Sequence, residues 1–162
     1  MASGESIIRY LKSNRCFKGL ECHLHFIDEN LNLETFTPPF ACVFNTLSKY
    51  NPSYKKFAHW VCLFYDGNVE KDIIFFDSLG GPIPDELLRT VTKSGVFNSF
   101  SRVNFSIQSE QSDLCGVYVV MFLYALFCEK LSLHKFLELF SLNSIENDTR
   151  ILSAYNRIFE RE

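Results

Sequence analysis

The sequence predicts an α+β fold, in which a small and mostly antiparallel central sheet carries helices on at least one side. Three observations predict it. Residues 58–65 and 72–77 are apolar, β-rich runs, and the Asp-Gly-Asn at 66–68 between them is turn chemistry. Residues 117–128 are twelve consecutive apolar residues, short of the roughly twenty that a membrane span needs, and so read as a core helix. The C-terminal third then reads as two or three helices, at 115–130, 132–140 and 147–160.

Taken in order, residues 5–13 have the spacing of a short amphipathic helix. The stretch from 14 to 40 is expected to be irregular and to end at the paired prolines Pro38 and Pro39. Residues 41–50 read as a buried helix or strand that leads to a loop at 51–56. The hairpin follows. Residues 85–95 show a helical pattern stopped by Gly95, and residues 102–108 alternate as a strand. No repeat, linker or low-complexity tract divides the 162 residues, so a single domain over 1–162 is expected.

Composition narrows the function. A net charge of −3 argues against a nonspecific grip on nucleic acid or on an anionic membrane. The first residues carry no secretory pattern, so the six cysteines are expected to be reduced thiols in the cytosol or nucleus. Cys62 and Cys128 lie in apolar runs and read as small packed hydrophobes. Seventeen phenylalanines indicate a core built on aromatic packing.

If the hairpin is regular and centred on Asn68, Tyr65 faces Lys71 and His59 comes opposite Asp77. The carboxylate can then hold one ring nitrogen and leave the other free to act as a base. The same residues also fit a surface histidine and a turn-initiating aspartate. Further on, Ser112 and Asp113 are helix-capping types, which places Cys115 in the first turn of the apolar helix. Free N–H groups and the helix dipole favour a thiolate at that end. Gly116 leaves room beside the sulfur for a peptide backbone. First-turn N–H groups, with the side-chain amide of Gln108, could stabilise an oxyanion. Alone, Cys115 also fits a buried structural cysteine; combined with the hairpin it completes a nucleophile, base, orienter and oxyanion donor.

The blocks "AHWVCLFYD", "IIFFDSLG" and "SIQSEQSDLCGVYVVMFLYAL" resemble the His-Trp, acidic and Gln-x6-Cys-Gly blocks of the adenain-type (adenovirus-like) cysteine proteases. That family belongs to a wider group that includes the ubiquitin-like-protein proteases. "IIRYLKSNRCF", "ACVFNTLSK" and "ILSAYNRIFER" extend the likeness over most of the chain. The resemblance implies a papain-like fold, Cys115 as nucleophile, His59 as base, Asp77 as orienter and Gln108 as oxyanion donor, with Gln111 its rival. It implies Trp60 and Gly116 as substrate-contacting positions, although Trp60 could equally be core. It further implies endopeptidase action on viral capsid or core precursors in a host nucleus, cytoplasm or virion. The alternatives are removal of ubiquitin or a ubiquitin-like modifier, and an inactive protease-fold binding module.

Some features depart from the adenovirus pattern. Asp77 stands where those enzymes usually carry Glu, as in the ubiquitin-like-protein proteases. Residues 98–108 lack a cysteine to pair with an activating peptide, and a pI near 5.8 fits poorly with activation by DNA. No cofactor is therefore expected. Cys16, Cys22, His23 and His25 are zinc-ligand types at a spacing that fits no common zinc site, so no metal is expected either. They read as an irregular segment over the sheet. Residues 78–82 read as a turn and His134 as a surface residue.

Overall fold

A computed structural model describes residues 4–47 and 59–160. Five strands form one sheet in the order β1 (Glu21–Phe26), β2 (Phe40–Asn45), β3 (Trp60–Tyr65), β4 (Asp72–Phe76) and β5 (Ser99–Arg102). β2–β3 and β3–β4 pair antiparallel, whereas β1–β2 and β4–β5 pair parallel. The sheet is thus evenly mixed rather than mostly antiparallel. The reason is topological. The β4–β5 connection carries a helix, α2 (Asp85–Ser94), and a crossover of that length returns the chain in the same direction.

The central strands β2 and β3 are buried on both faces and β4 nearly so, which is why these three read as unbroken apolar runs, unlike the edge strands β1 and β5. On one face Ala41, Val43, Cys62, Phe64 and Phe76 pack with α1 (Gly4–Ser13), α3 (Cys115–Leu123) and α5 (Ser144–Phe159). On the other, Phe40, Phe44, Leu63, Ile73 and Phe75 pack with Leu87 and Val91 of α2. All nine residues of α3 are buried, so it is the central helix of the first core. Phe76 stacks on Phe122 with centroids 4.4 Å apart, tying sheet to helix by aromatic packing.

Helix ends follow local chemistry. Gly95 stops α2 at φ 67, a left-handed conformation that glycine takes without a Cβ penalty. Asn143 starts α5 by accepting from the Glu146 N–H. The helix expected over 115–130 is α3 followed by a π-helical turn, Tyr124–Cys128, in which the Glu129 N–H reaches back to the Tyr124 carbonyl. The helix expected at 132–140 is the short α4 (Leu133–Leu137), begun by the Ser132 side chain, and His134 on it is exposed beside Glu138.

Three further expectations are corrected. Residues 21–26 are not irregular; they are the edge strand β1, hydrogen-bonded in parallel to β2. Residues 103–108 are not a strand, since β5 ends at Arg102 and the N–H groups of Ile107 and Gln108 donate instead to the Ser78 carbonyl. Their alternation is not kept: Val103 and Ile107 are buried, but Phe105, which a strand would place on the same face, is exposed. The hairpin register is displaced by two residues: Cys62 faces Phe76 and Phe64 faces Ile74. Asn68 causes it. Its side chain bridges the Asp72 N–H and carbonyl, and Lys71 turns at φ 56, lengthening the loop. The segment 41–47 resolves to strand β2 and its end, while the loop expected at 51–56 lies outside the described residues.

Candidate active site

Three chain segments meet at one end of the sheet. His59 immediately precedes β3, and its carbonyl accepts from the Thr46 N–H at 3.0 Å. Asp77 immediately follows β4, and Cys115 is the first residue of α3. The His59 Nε2 lies 2.7 Å from Asp77 Oδ1, and the His59 side chain is also hydrogen-bonded to Cys115. With Nε2 on the carboxylate, Nδ1 is the nitrogen left for the sulfur. The two-residue displacement of the hairpin preserves this meeting, because a shift of two leaves every side chain on its original face. His59 therefore reaches Asp77 diagonally rather than straight across.

The carboxylate is fixed from behind. The Leu79 N–H donates to Asp77 Oδ1 at 2.9 Å and the Gly81 N–H to Oδ2 at 3.2 Å. A Cβ on Gly81 would stand 2.7 Å from Oδ2, so glycine permits that contact. The turn expected at 78–82 is thus a cradle for Asp77. Burial pushes the Asp77 carboxyl up, but the His59 ring and the two N–H groups outweigh it and hold the group below the usual carboxylate value. Burial likewise pushes His59 down, and the hydrogen bonds to Asp77 and Cys115 overcome it, raising the imidazole to about 9. A charged Asp77–imidazolium pair is the result near neutral pH.

Cys115 is buried at 6 % exposure. The capping expected of Ser112 and Asp113 does not form. Leu114 occupies the cap position, because the Ser112 hydroxyl is engaged with Ser109 and Gln108. The first-turn placement of Cys115 nevertheless holds. Trp60 and Gly116 flank the site, both buried. Trp60 belongs to the core cluster that also contains Cys115.

Gln108 is 2 % exposed. Its Nε2 donates to the Ser112 carbonyl and hydroxyl, each at 3.0 Å, and its Oε1 accepts from the Ser78 hydroxyl. Gln111 is exposed. Residues that sequence reasoning missed hold the Gln108 segment in place. Asn147, fully buried on α5, donates to the Ile107 carbonyl at 3.0 Å. Asp148 accepts from the Ser109 N–H at 3.3 Å and from the Tyr118 hydroxyl at 2.8 Å. Asn147 and Asp148 gave no local signal beyond a helical pattern, and Ser78 was hidden inside a turn.

The other cysteine and histidine group separates. His23 and His25 share a face of β1, as alternation predicts, and His23 stacks on Phe36 at 4.1 Å while His25 meets Glu29 at 3.0 Å. Among the described residues no three His, Cys, Asp or Glu side chains gather as metal ligands. No helix among them is long and apolar enough to cross a membrane.

No protein-family model matches the sequence, and no curated protein does. Solved structures do. ChlaDub1 from Chlamydia trachomatis aligns at TM-score 0.52 and 15 % identity, over 75 % of this chain and 62 % of its own. The ASFV pS273R protease aligns at TM-score 0.45 and 24 % identity, over 57 % of this chain and 35 % of its own. The chain therefore spans about a third of the ASFV protease and under two thirds of ChlaDub1. The ChlaDub1 likeness establishes the fold, the papain-like α+β fold of the adenain-type and ubiquitin-like-protein proteases.

Proposed function

We propose that the chain is a cysteine endopeptidase that cleaves precursor proteins, with Cys115 as nucleophile, His59 as base, Asp77 as its orienter and Gln108 as oxyanion donor. The observation that carries this reading is the division of the His59 ring between Asp77 on one side and Cys115 on the other. In the His59 imidazolium Nδ1 carries the proton it shares with the sulfur, and the carboxylate balances the charge. The thiolate then attacks the scissile carbonyl, and the oxyanion takes N–H donors from the start of α3 and from Gln108. An amide nitrogen carries two hydrogens, so Nε2 can keep its bond to the Ser112 carbonyl and release the Ser112 hydroxyl to turn the other hydrogen to the substrate. Imidazolium protonates the departing amine, and water, deprotonated by the same ring, hydrolyses the thioester.

A second reading, removal of ubiquitin or a ubiquitin-like modifier, is favoured by Asp rather than Glu at position 77. The likeness to ChlaDub1, a deubiquitinase, also supports it. Both readings place substrate in a protein rather than a small molecule, and viral precursors in nucleus, cytoplasm or virion are the expected targets of the first. A peptide or DNA activator is not part of the proposal. The non-enzymatic reading, a binding module, is disfavoured because all four catalytic positions carry competent residue types.

A vinyl-sulfone probe should label Cys115 before the other five thiols, and Cys115→Ala should abolish both labelling and turnover of peptide and modifier fluorophore substrates. Near-normal turnover by Cys115→Ala would remove the protease reading. Hydrolysis of ubiquitin-like fluorophores alone, with precursor peptides untouched, would select the second.

A further inference from the structure

The turn that cradles Asp77 is also joined to the segment that carries Gln108. Ser78 is fully buried, and its carbonyl accepts from the N–H groups of both Ile107 and Gln108, at 2.9 and 3.0 Å. Gly80 lies so close to this segment that a Cβ there would stand 2.3 Å from the Phe105 carbonyl carbon. The backbone contacts alone hold the two segments together. The Ser78 hydroxyl does something further: it donates to Gln108 Oε1.

Which way the Gln108 amide points is decided by chemistry. The Ser112 carbonyl can only accept, so the atom 3.0 Å from it is the nitrogen. The oxygen must then face Ser78, and a hydroxyl is the partner that can donate to it. The amide is thereby held at both ends, with its N–H side on the stretch that leads into Cys115.

We propose that Ser78 is a positioning residue for the oxyanion donor, orienting the Gln108 amide so that Nε2 faces the carbonyl that Cys115 attacks. The inference rests on the protease reading. Through Ser78, the residue next to the orienting acid also sets the oxyanion site, so the two halves of the machinery are aligned by one turn. The role acts through Gln108 and leaves the thiol itself untouched.

Ser78→Ala keeps both backbone bonds and removes only the hydroxyl, so the fold should survive. The readout is acylation of Cys115 by p-nitrophenyl acetate, taken as the p-nitrophenolate burst that Cys115→Ala lacks, compared with its alkylation by iodoacetamide. Acylation builds an oxyanion and alkylation does not. Ser78→Ala should slow acylation about tenfold, smaller than the roughly 10²–10³ expected of Gln108→Ala, and leave alkylation unchanged. In a Gln108→Ala background the same substitution should have no further effect on acylation, because residues acting as a unit are not additive. A merely structural role would slow both reactions and would add to the loss of Gln108. Should Ser78→Ala not fold, Ser78→Cys, of similar size but only a weak donor, makes the same comparison. Wild-type acylation in the Ser78 variant beside a damaged Gln108→Ala would overturn the inference and leave the protease reading intact. A wild-type protein with no burst would overturn both.

Discussion

On the protease reading, His59 is the residue at the site that sets the pH range over which the chemistry can run. Its imidazolium must be present to protonate the departing amine, and its pKa is raised to about 9, with Asp77 the main partner that overcomes burial. Turnover of a Gly-Gly-aminomethylcoumarin peptide should therefore fall on an alkaline limb near pH 9. That apparent value belongs to the coupled Cys115–His59 pair rather than to the ring alone. Asp77→Asn removes the charge that favours the imidazolium, so the limb should move to lower pH while some activity remains, since the carboxylate orients and balances the ring without itself taking the proton. An unmoved limb in a folded Asp77→Asn protein would show that another group holds the proton. Residue types and order made the four catalytic candidates legible, because nucleophile, base, acid and amide each have a distinctive chemistry. Ser78, Asn147 and Asp148 were not legible. A serine in a turn and two polar residues in a helix have ordinary local explanations, and their partners lie 30 to 40 positions away.

Among the elements, turns were the hardest to read and matter most to the site. The strands β3 and β4 and the helix α2 announced themselves through periodicity and punctuation. The register did not, because Asn68 replaces a backbone turn with its own side chain and Lys71 adds length. β1 was missed because an edge strand carrying His23 and His25 lacks an apolar run. The 77–81 turn now offers a controlled comparison. Gly80 and Gly95 have nearly the same backbone conformation, φ 69 and φ 67, but a Cβ at Gly80 would strike the 105–106 backbone whereas one at Gly95 meets nothing within 4 Å. Gly95→Ala should cost about 1–2 kcal/mol, the left-handed strain alone. Gly80→Ala should cost more than this, above about 3 kcal/mol, and should also depress acylation by displacing the Gln108 segment. Urea midpoints for the two variants decide it. Equal losses would mean that the turn is not packed on residues 105–108.

For the whole molecule, the same ionisations make stability depend on pH, in a direction the shifts determine. Between the ordinary imidazole value of 6.5 and about 9, folded His59 keeps a proton that the unfolded chain has lost. Its contribution is therefore fully present below 6.5 and disappears as pH rises through about 9. Four thiols add to the loss at higher pH. Burial raises Cys22 to about 11 and pushes Cys42, Cys62 and Cys128 up as well, so above the ordinary thiol value of 9.0 the unfolded chain ionises first. Asp77 does not change this range, because its carboxyl is ionised in both states there. The urea midpoint of the wild type should accordingly decline in two stages, one between pH 6.5 and 9 and one above pH 9. His59→Ala should remove the first stage and keep the second, since the thiols sit in the cores on both faces of the sheet and do not need the site. Midpoints measured at pH 6.5, 8, 9 and 10 test both parts. A wild-type midpoint that is flat from 6.5 to 9 would mean that the His59–Asp77 pair is not formed in solution, and an unchanged first stage in His59→Ala would assign it to another group.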